Sequence, residues 1–361
     1  SLVGSEMCIR DRLHDGEIVQ SGNILIKDEN HLKVPAFVGN GEIFLNVYAC
    51  LKKSTYWAEK GFPVAKEQFA IRISKAQPIM PKGDALEANI LNGKLEIKAG
   101  SHRLLINNKS GALESWENDG KELLYGALTP YFWKPANSNQ INNNYNERLG
   151  IWKDADKNLA VEKFDFLVKN GICKVKFDML LSSVGATYQL QYTINGEGKV
   201  QVEADYKPGK QKVQLIPKFG MRMRLPSSMD YVKWYGRGEF ENYPDRKTAA
   251  LVGCYATDLN SFVTDYAFPQ DNANRCDVRW FSLNDKEGRT IKVTGLQPLC
   301  FRVWPYGEED LEKNRHAYEL PVRDYVNVNI DLNIHGVGGA DSWGARTLDE
   351  YTIDGNQAYY Y

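Results

Sequence analysis

The chain has 361 residues, 43% of them hydrophobic and 25% charged, with a formal net charge of −1. That is an ordinary globular composition with material for two or three domains of roughly 150 residues each. The near-neutral balance excludes the basic face that a nucleic-acid partner requires, and no apolar run approaches the roughly 20 residues that span a bilayer.

Taken in chain order, the first residues stand apart. Ser1 to Arg12 lack a starting Met and the apolar stretch of a signal peptide, so residues 1–12 are expected to be a non-native leader outside the fold. From residue 13 the pattern is β. Ile18, Ile24 and Ile26 belong to short strands around Ser21-Gly22, Gly39-Asn40-Gly41 is a turn, and Ile43 to Leu51 is an apolar strand. Phe69, Ile71 and Ile73 alternate along the chain before Pro78. Residues 13–75 therefore have the size and strand spacing of a small immunoglobulin-like β-sandwich. Residues 76–88, with Pro78, Pro81 and Gly83, have the composition of a linker.

Beyond it, residues 89–361 are dominated by alternation of period two. Leu95, Ile97 and Ala99 form one such row, and Val175, Phe177 and Met179 a second. Further rows run through Tyr188 to Ile194, Val200 to Tyr206 and Phe219 to Leu225. The clearest sets Val326, Val328, Ile330, Leu332 and Ile334 against Asn327, Asn329, Asp331 and Asn333. Alternation predicts strands with one buried face and one wet face, hence large packed antiparallel sheets. Only Glu308 to Arg315, downstream of Pro305, has the look of a short helix, and no βαβ alternation supports a parallel barrel.

The six cysteines, Cys8, Cys50, Cys173, Cys254, Cys276 and Cys300, form no Cys-x-x-Cys pair and are expected as reduced, buried thiols. That points to the cytoplasm, with the periplasm as the alternative. His14, His31, His102, His316 and His335 show no metal-ligand spacing, so no metal or other cofactor is expected in this chain.

Three segments carry more information. Trp234-Tyr-Gly-Arg-Gly-Glu-Phe-Glu-Asn-Tyr-Pro-Asp-Arg246 ends in a turn, and its Arg237, Glu241, Asp245 and Arg246 suit an ion-pair network better than general acid chemistry. Tyr266-Ala-Phe-Pro-Gln-Asp-Asn-Ala-Asn-Arg-Cys276 follows. Gly336-Val-Gly-Gly-Ala-Asp-Ser-Trp-Gly344 lacks the Gly-Lys-Ser/Thr of a phosphate loop and is predicted as a tight turn that throws Trp343 outward. In order and spacing these segments resemble the carboxy-terminal domain of the family 2 β-galactosidases, with Asp271 where Glu is usual. Asp15-Gly-Glu-Ile-Val-Gln-Ser-Gly22, Gly41-Glu-Ile-Phe-Leu-Asn46 and Ala65-Lys-Glu-Gln-Phe69 look like the immunoglobulin-like domain before it.

The resemblance implies an all-β fold: a small immunoglobulin-like β-sandwich followed by a large antiparallel supersandwich like that of galactose mutarotases. It implies a retaining glycosidase whose two glutamates, about 5 Å apart, sit with magnesium and sodium on a separate (β/α)₈ barrel of about 250 residues. This chain is then the non-catalytic part or small subunit of a β-galactosidase acting on terminal β-D-galactosides, inactive alone. Its partners would be that barrel or large subunit, a galactoside, and further copies in a homo-oligomer. The resemblance makes Trp343 the substrate-stacking residue. It makes Ala136 to Asn144 a loop bordering the site through Asn139, with Ser138 and Gln140 where aspartates are usual and Asn142 where glycine is usual. The competing functions are a stand-alone carbohydrate-binding module and an aldose 1-epimerase-like protein; the epimerase needs a His–Glu pair converging in a cleft.

Overall fold

The computed structural model describes residues 5–25, 40–78, 86–341 and 343–361, with the side chains of 5–10, 12 and 23–25 set aside. Ile26, His31, Gly39 and the linker's Pro81 and Gly83 lie outside the described residues, as do the side chains of Cys8 and Ile24.

Strands β1 (Ser5–His14), β2 (Glu17–Leu25), β3 (Ile43–Leu51) and β4 (Pro63–Arg72) form one antiparallel sheet in the order β2-β1-β3-β4. The leader expectation is corrected here: Ser5 to Arg12 make up most of β1, an inner strand paired on both sides. The residues carry strand-compatible backbone regardless of an atypical composition, and the partners β2 and β3 supply the ladder.

The remainder comprises β5 (Glu87–Leu91), β6 (Lys94–Ala99), β7 (His102–Asn107), β8 (Leu113–Asn118), β9 (Lys121–Glu122) and β10 (Gly126–Tyr131), then short helices α1 (Ser138–Ile141) and α2 (Tyr145–Leu149). Strands β11 (Leu159–Lys169), β12 (Ile172–Leu181), β13 (Ala186–Asn195), β14 (Val200–Lys207), β15 (Lys218–Pro226), β16 (Tyr231–Gly238) and β17 (Leu251–Asp258) follow. Helix α3 (Leu259–Phe262), β18 (Arg275–Asn284), β19 (Thr290–Trp304), helix α4 (Glu308–Lys313), β20 (Tyr325–Ile334) and β21 (Tyr359–Tyr360) complete the chain. The order β17-β16-β18-β19-β20-β15-β10-β8-β7-β6-β5, with β9 on β8, makes a 12-stranded sheet; β11-β12-β13-β14-β21 makes a 5-stranded one. The fold is all-β and antiparallel throughout. Leu86 is already in the core and β5 starts at Glu87, so the last residues of the expected linker belong to the sheet.

The two sheets pack face to face. Val175, Phe177 and Met179 of β12 and Tyr188 and Leu190 of β13 point into one core with Leu95, Ile97 and Phe219. Lys174 and Lys176 on the opposite face of β12 are exposed, as alternation requires. The Tyr192 hydroxyl donates to the Gly111 carbonyl at 2.7 Å, tying the smaller sheet to the turn between β7 and β8.

Strand β20 departs from that rule. Asn327, Asn329 and Asp331, the expected wet face, are fully buried. Helix α4 and the segments around Lys134 and Asp271 cover this second face, and charge pairing makes its burial tolerable. The Glu308 carboxylate accepts from Asn327 and Asn329 at 3.1 and 3.0 Å and pairs with Arg222 at 3.1 Å. Asp331 pairs with Lys218 at 2.5 Å and with Arg302 at 3.4 Å.

The four-stranded sheet docks on β16, β17 and β18. Leu13 and Phe44 pack with Tyr235 and Val252. Buried Glu42 accepts from the Tyr235 hydroxyl at 2.5 Å and from Arg279 Nε at 2.8 Å. The Gln68 amide clasps the Val252 backbone with both its groups, at 2.8 and 2.9 Å. Phe69, Ile71 and Ile73 stay about half exposed. Cys173, Cys276 and Cys300 are buried thiols, the last two 3.6 Å apart.

Candidate functional site

The three sequence segments and the Ala136 to Asn144 loop meet at one end of the large sheet. Strand β20 ends at Ile334, and the backbone then runs past Asp245, which follows β16 and its turn. Both Asp245 carboxylate oxygens are used: Val337 N–H donates to one at 3.0 Å and Gly338 N–H to the other at 2.7 Å. A Cβ on Gly336 would lie 2.7 Å from that carboxylate, so the close approach needs glycine. Gly339 adopts φ +97°, which turns the chain outward. Past the turn, Asp341 accepts from Trp343 N–H at 2.9 Å and Ala345 N–H at 3.1 Å, and the Trp343 ring stands 91% exposed.

The other side of the turn is held by the loop after β10. Phe132, Trp133 and Lys134 are buried, which fixes where the loop leaves the core. Asn137 caps α1: its side chain accepts from Gln140 N–H at 3.0 Å, and its own N–H donates to Gln140 Oε1 at 3.1 Å. The same Gln140 Oε1 accepts from Lys134 Nζ at 2.8 Å, while Gln140 Nε2 donates to the Gly336 carbonyl at 3.0 Å. Asn137 Nδ2 donates to the Val337 carbonyl at 3.2 Å and Asn139 Nδ2 to the same oxygen at 3.5 Å. Asn139 and Trp343 are thus on adjoining loops. Gln270 of the second segment accepts from Ser138 N–H at 3.0 Å.

Beneath this rim lies the buried charge row. Asp271 pairs with Arg302 and, at 3.5 Å, with Lys134. Burial draws the Lys134 ammonium down from its ordinary value, against the pull of Asp271. Burial lowers Lys218 as well, to about 8, with Asp331 opposing. His335 is pushed down to about 3 by burial and by Lys134 and Arg148, so it is neutral at physiological pH. No carboxylate pairs with His335 among the described residues, and no group of three or more His, Cys, Asp or Glu there is placed to hold a metal ion.

The expected ion-pair network divides in two. Glu241 accepts from Arg246, from the Tyr266 hydroxyl and, at 2.8 Å, from Ala273 N–H. Arg237 instead pairs with Asp277 at 2.5 Å, and Asp245 takes backbone N–H groups. Glu241 is therefore saturated and buried, and Asp245 is occupied in holding the turn. What the rim offers a ligand is an aromatic face on a fixed support. Gln140 and Lys134 were missed by sequence reasoning; the Asn137-x-x-Gln140 capping spacing was the available signal for the first, and nothing local marks the second.

The sequence profile described as β-galactosidase small chain matches residues 98–361, and that described as β-galactosidase domain 4 matches residues 7–72. A protein named β-galactosidase from Priestia megaterium is 30% identical over 96% of this chain and 34% of its own length. Another of that name from Halalkalibacterium halodurans is 29% identical over 88% of this chain and 32% of its own. The chain spans about a third of the length of these relatives. Among solved structures, a galactose 1-epimerase from Lactobacillus acidophilus overlays 76% of this chain and 95% of its own at 8% identity and a TM-score of 0.41, too loose a likeness to bear on function.

Proposed function

Because the chain belongs to the β-galactosidase small-chain family, we propose that it forms the sugar-facing wall of a β-galactosidase whose bond-breaking carboxylates sit on another stretch of polypeptide. The observation that carries this reading is Trp343, an almost fully exposed indole on a turn fixed by Asp245 and Gln140. The ring presents a rigid apolar face that suits the C–H face of a sugar or aglycone.

In this reading the chain contributes binding and water exclusion, while proton transfer and nucleophilic attack belong to a carboxylate pair on the barrel. The barrel would also bring magnesium and sodium. The chain meets that barrel in the same or a separate polypeptide, in a homo-oligomer, in the cytoplasm. Among the described residues the His–Glu contact is the exposed capping of His316 by Glu319, which is no cleft pair, and the saturation of Glu241 removes one of the acids an epimerase would need.

Trp343→Ala in the complete enzyme is expected to raise KM for lactose about tenfold, for about 1.4 kcal/mol of lost contact, with a smaller change in kcat. An unchanged kcat/KM would reject the role of Trp343.

A further inference from the structure

A groove of about 590 Å³ opens beside this rim, between the loop after β16 and the segment running on from α3. Phe240, Glu241, Phe262, Thr264, Tyr266 and Arg275 line it. Arg275 is the cation there that no carboxylate reaches by a hydrogen bond among the described residues; Glu241 acts on it only through space. It is 2% exposed, and its Nη atoms donate only to neutral carbonyls: Ala273 at 3.1 Å, Asn274 at 3.4 Å and Phe262 at 3.3 Å. The guanidinium lies 4.2 Å from the Phe262 ring centre and 5.2 Å from that of Trp234. Its Nε has no hydrogen-bond partner, and no ion pair joins it to a carboxylate among the described residues.

A cation withdrawn from water in this way is costly until an anion reaches it. The groove's own acid cannot serve, because Glu241 is taken by Arg246, Tyr266 and Ala273. Glu239 is also at the groove, but exposed to water at the rim. Ser261 is turned to Asp258, at 2.9 Å. The polar groups left over inside the groove are the Arg275 Nε, a donor, and the Thr264 hydroxyl, which can donate to an anion. A sugar needs several donors and acceptors; this groove suits a carboxylate beside an apolar group. Half-exposed Phe240 supplies a surface for the latter, and aromatic rings with arginine are the side chains that dominate protein interfaces.

We propose that the groove receives an aspartate or glutamate side chain of the polypeptide that carries the rest of the enzyme, with its carboxylate on Arg275 and an apolar neighbour on Phe240. This rests on the reading above, since the matched relatives are about three times as long as this chain. The contact would anchor the mouth-forming end of the chain against its companion, because the segment Tyr266 to Cys276 both carries Arg275 and holds the Asn139 loop through Gln270.

Hydrogen exchange on this chain alone and within the complete enzyme tests the proposal. The amides of residues 239–241 and 261–266 are expected to exchange at least about tenfold more slowly in the complete enzyme. Arg275→Gln is expected to remove that slowing. Phe240→Glu, a rim substitution that leaves the fold's core untouched, is expected to do the same by placing a competing carboxylate at the groove. Slowing that survives both substitutions would overturn the acidic occupant. Unchanged groove amides beside slowed amides in 337–345 would overturn the groove proposal while the mouth reading stands. No slowing in either region would overturn both.

Discussion

Asp245 holds the Gly336 turn with two hydrogen bonds to a charged acceptor, each of a kind that contributes about 1.5–3 kcal/mol. Alanine at this position removes both and leaves two N–H groups facing a gap. The consequence is local, because Asp245 makes no salt bridge among the described residues and acts on Lys134 only through space. Asp245→Ala is expected to speed proteolysis within residues 336–345 and to raise KM with the fold intact, and Asp245→Asn, which keeps one acceptor oxygen, to fall between. Cleavage at the wild-type rate would show that the turn does not depend on this carboxylate. Glu308 has the opposite reach. Burial raises its carboxyl, but Arg222, the Asn329 amide, a backbone N–H and Lys218 together outweigh burial and bring it to about 2, from 4.5. A carboxyl lowered on folding stabilises fully above its unfolded value and loses that contribution as pH falls through the folded one. The shift corresponds to about 3 kcal/mol, to be lost between about pH 4.5 and 2. Glu308→Gln should flatten the acid limb of a denaturant-midpoint profile; an identical limb would remove Glu308 from the account.

At the scale of elements, β12 and β20 show how far alternation carries. In β12 the residues Cys173, Val175, Phe177 and Met179 are buried and the lysines between them are wet, so pattern and structure agree. In β20 the apolar row is legible, but Asn327, Asn329 and Asp331 are inside. Their polarity is the same in water as in a buried network; what differs is the cover, which comes from α4 and from segments about 20 to 190 residues away in sequence. A period-two pattern records which face is apolar, not what lies over the polar face. Helix α4 was visible as Glu308 to Arg315 downstream of Pro305, whereas α1 and α2, of 4 and 5 residues, are too short to show a helical period. At the site, Gly336 to Gly344 reads as a turn that presents Trp343 because glycine spacing is local information. The grip of Gln140 and Asp245 on that turn, and the burial of Arg275 without a bonded carboxylate, are products of long-range packing.

For the molecule as a whole, the sheets form one support. The 5-stranded sheet closes the apolar face of the 12-stranded sheet, and the four-stranded sheet is pinned to β16, β17 and β18 by Glu42 and Gln68. Under the proposed function, a rim carried on such a support would need little ordering on binding a sugar, which is how a wall without reacting groups would lower KM. The same arrangement leaves the carboxylates of the site spent: Glu241 on Arg246 and Tyr266, Asp271 and Asp331 on buried cations. The most direct test is an assay of this chain, purified to homogeneity, on a chromogenic β-galactoside, alone and with the polypeptide bearing the rest of the enzyme. The account predicts no turnover by the chain alone and turnover once the two are combined. Turnover by the lone chain that persists through further purification would contradict it.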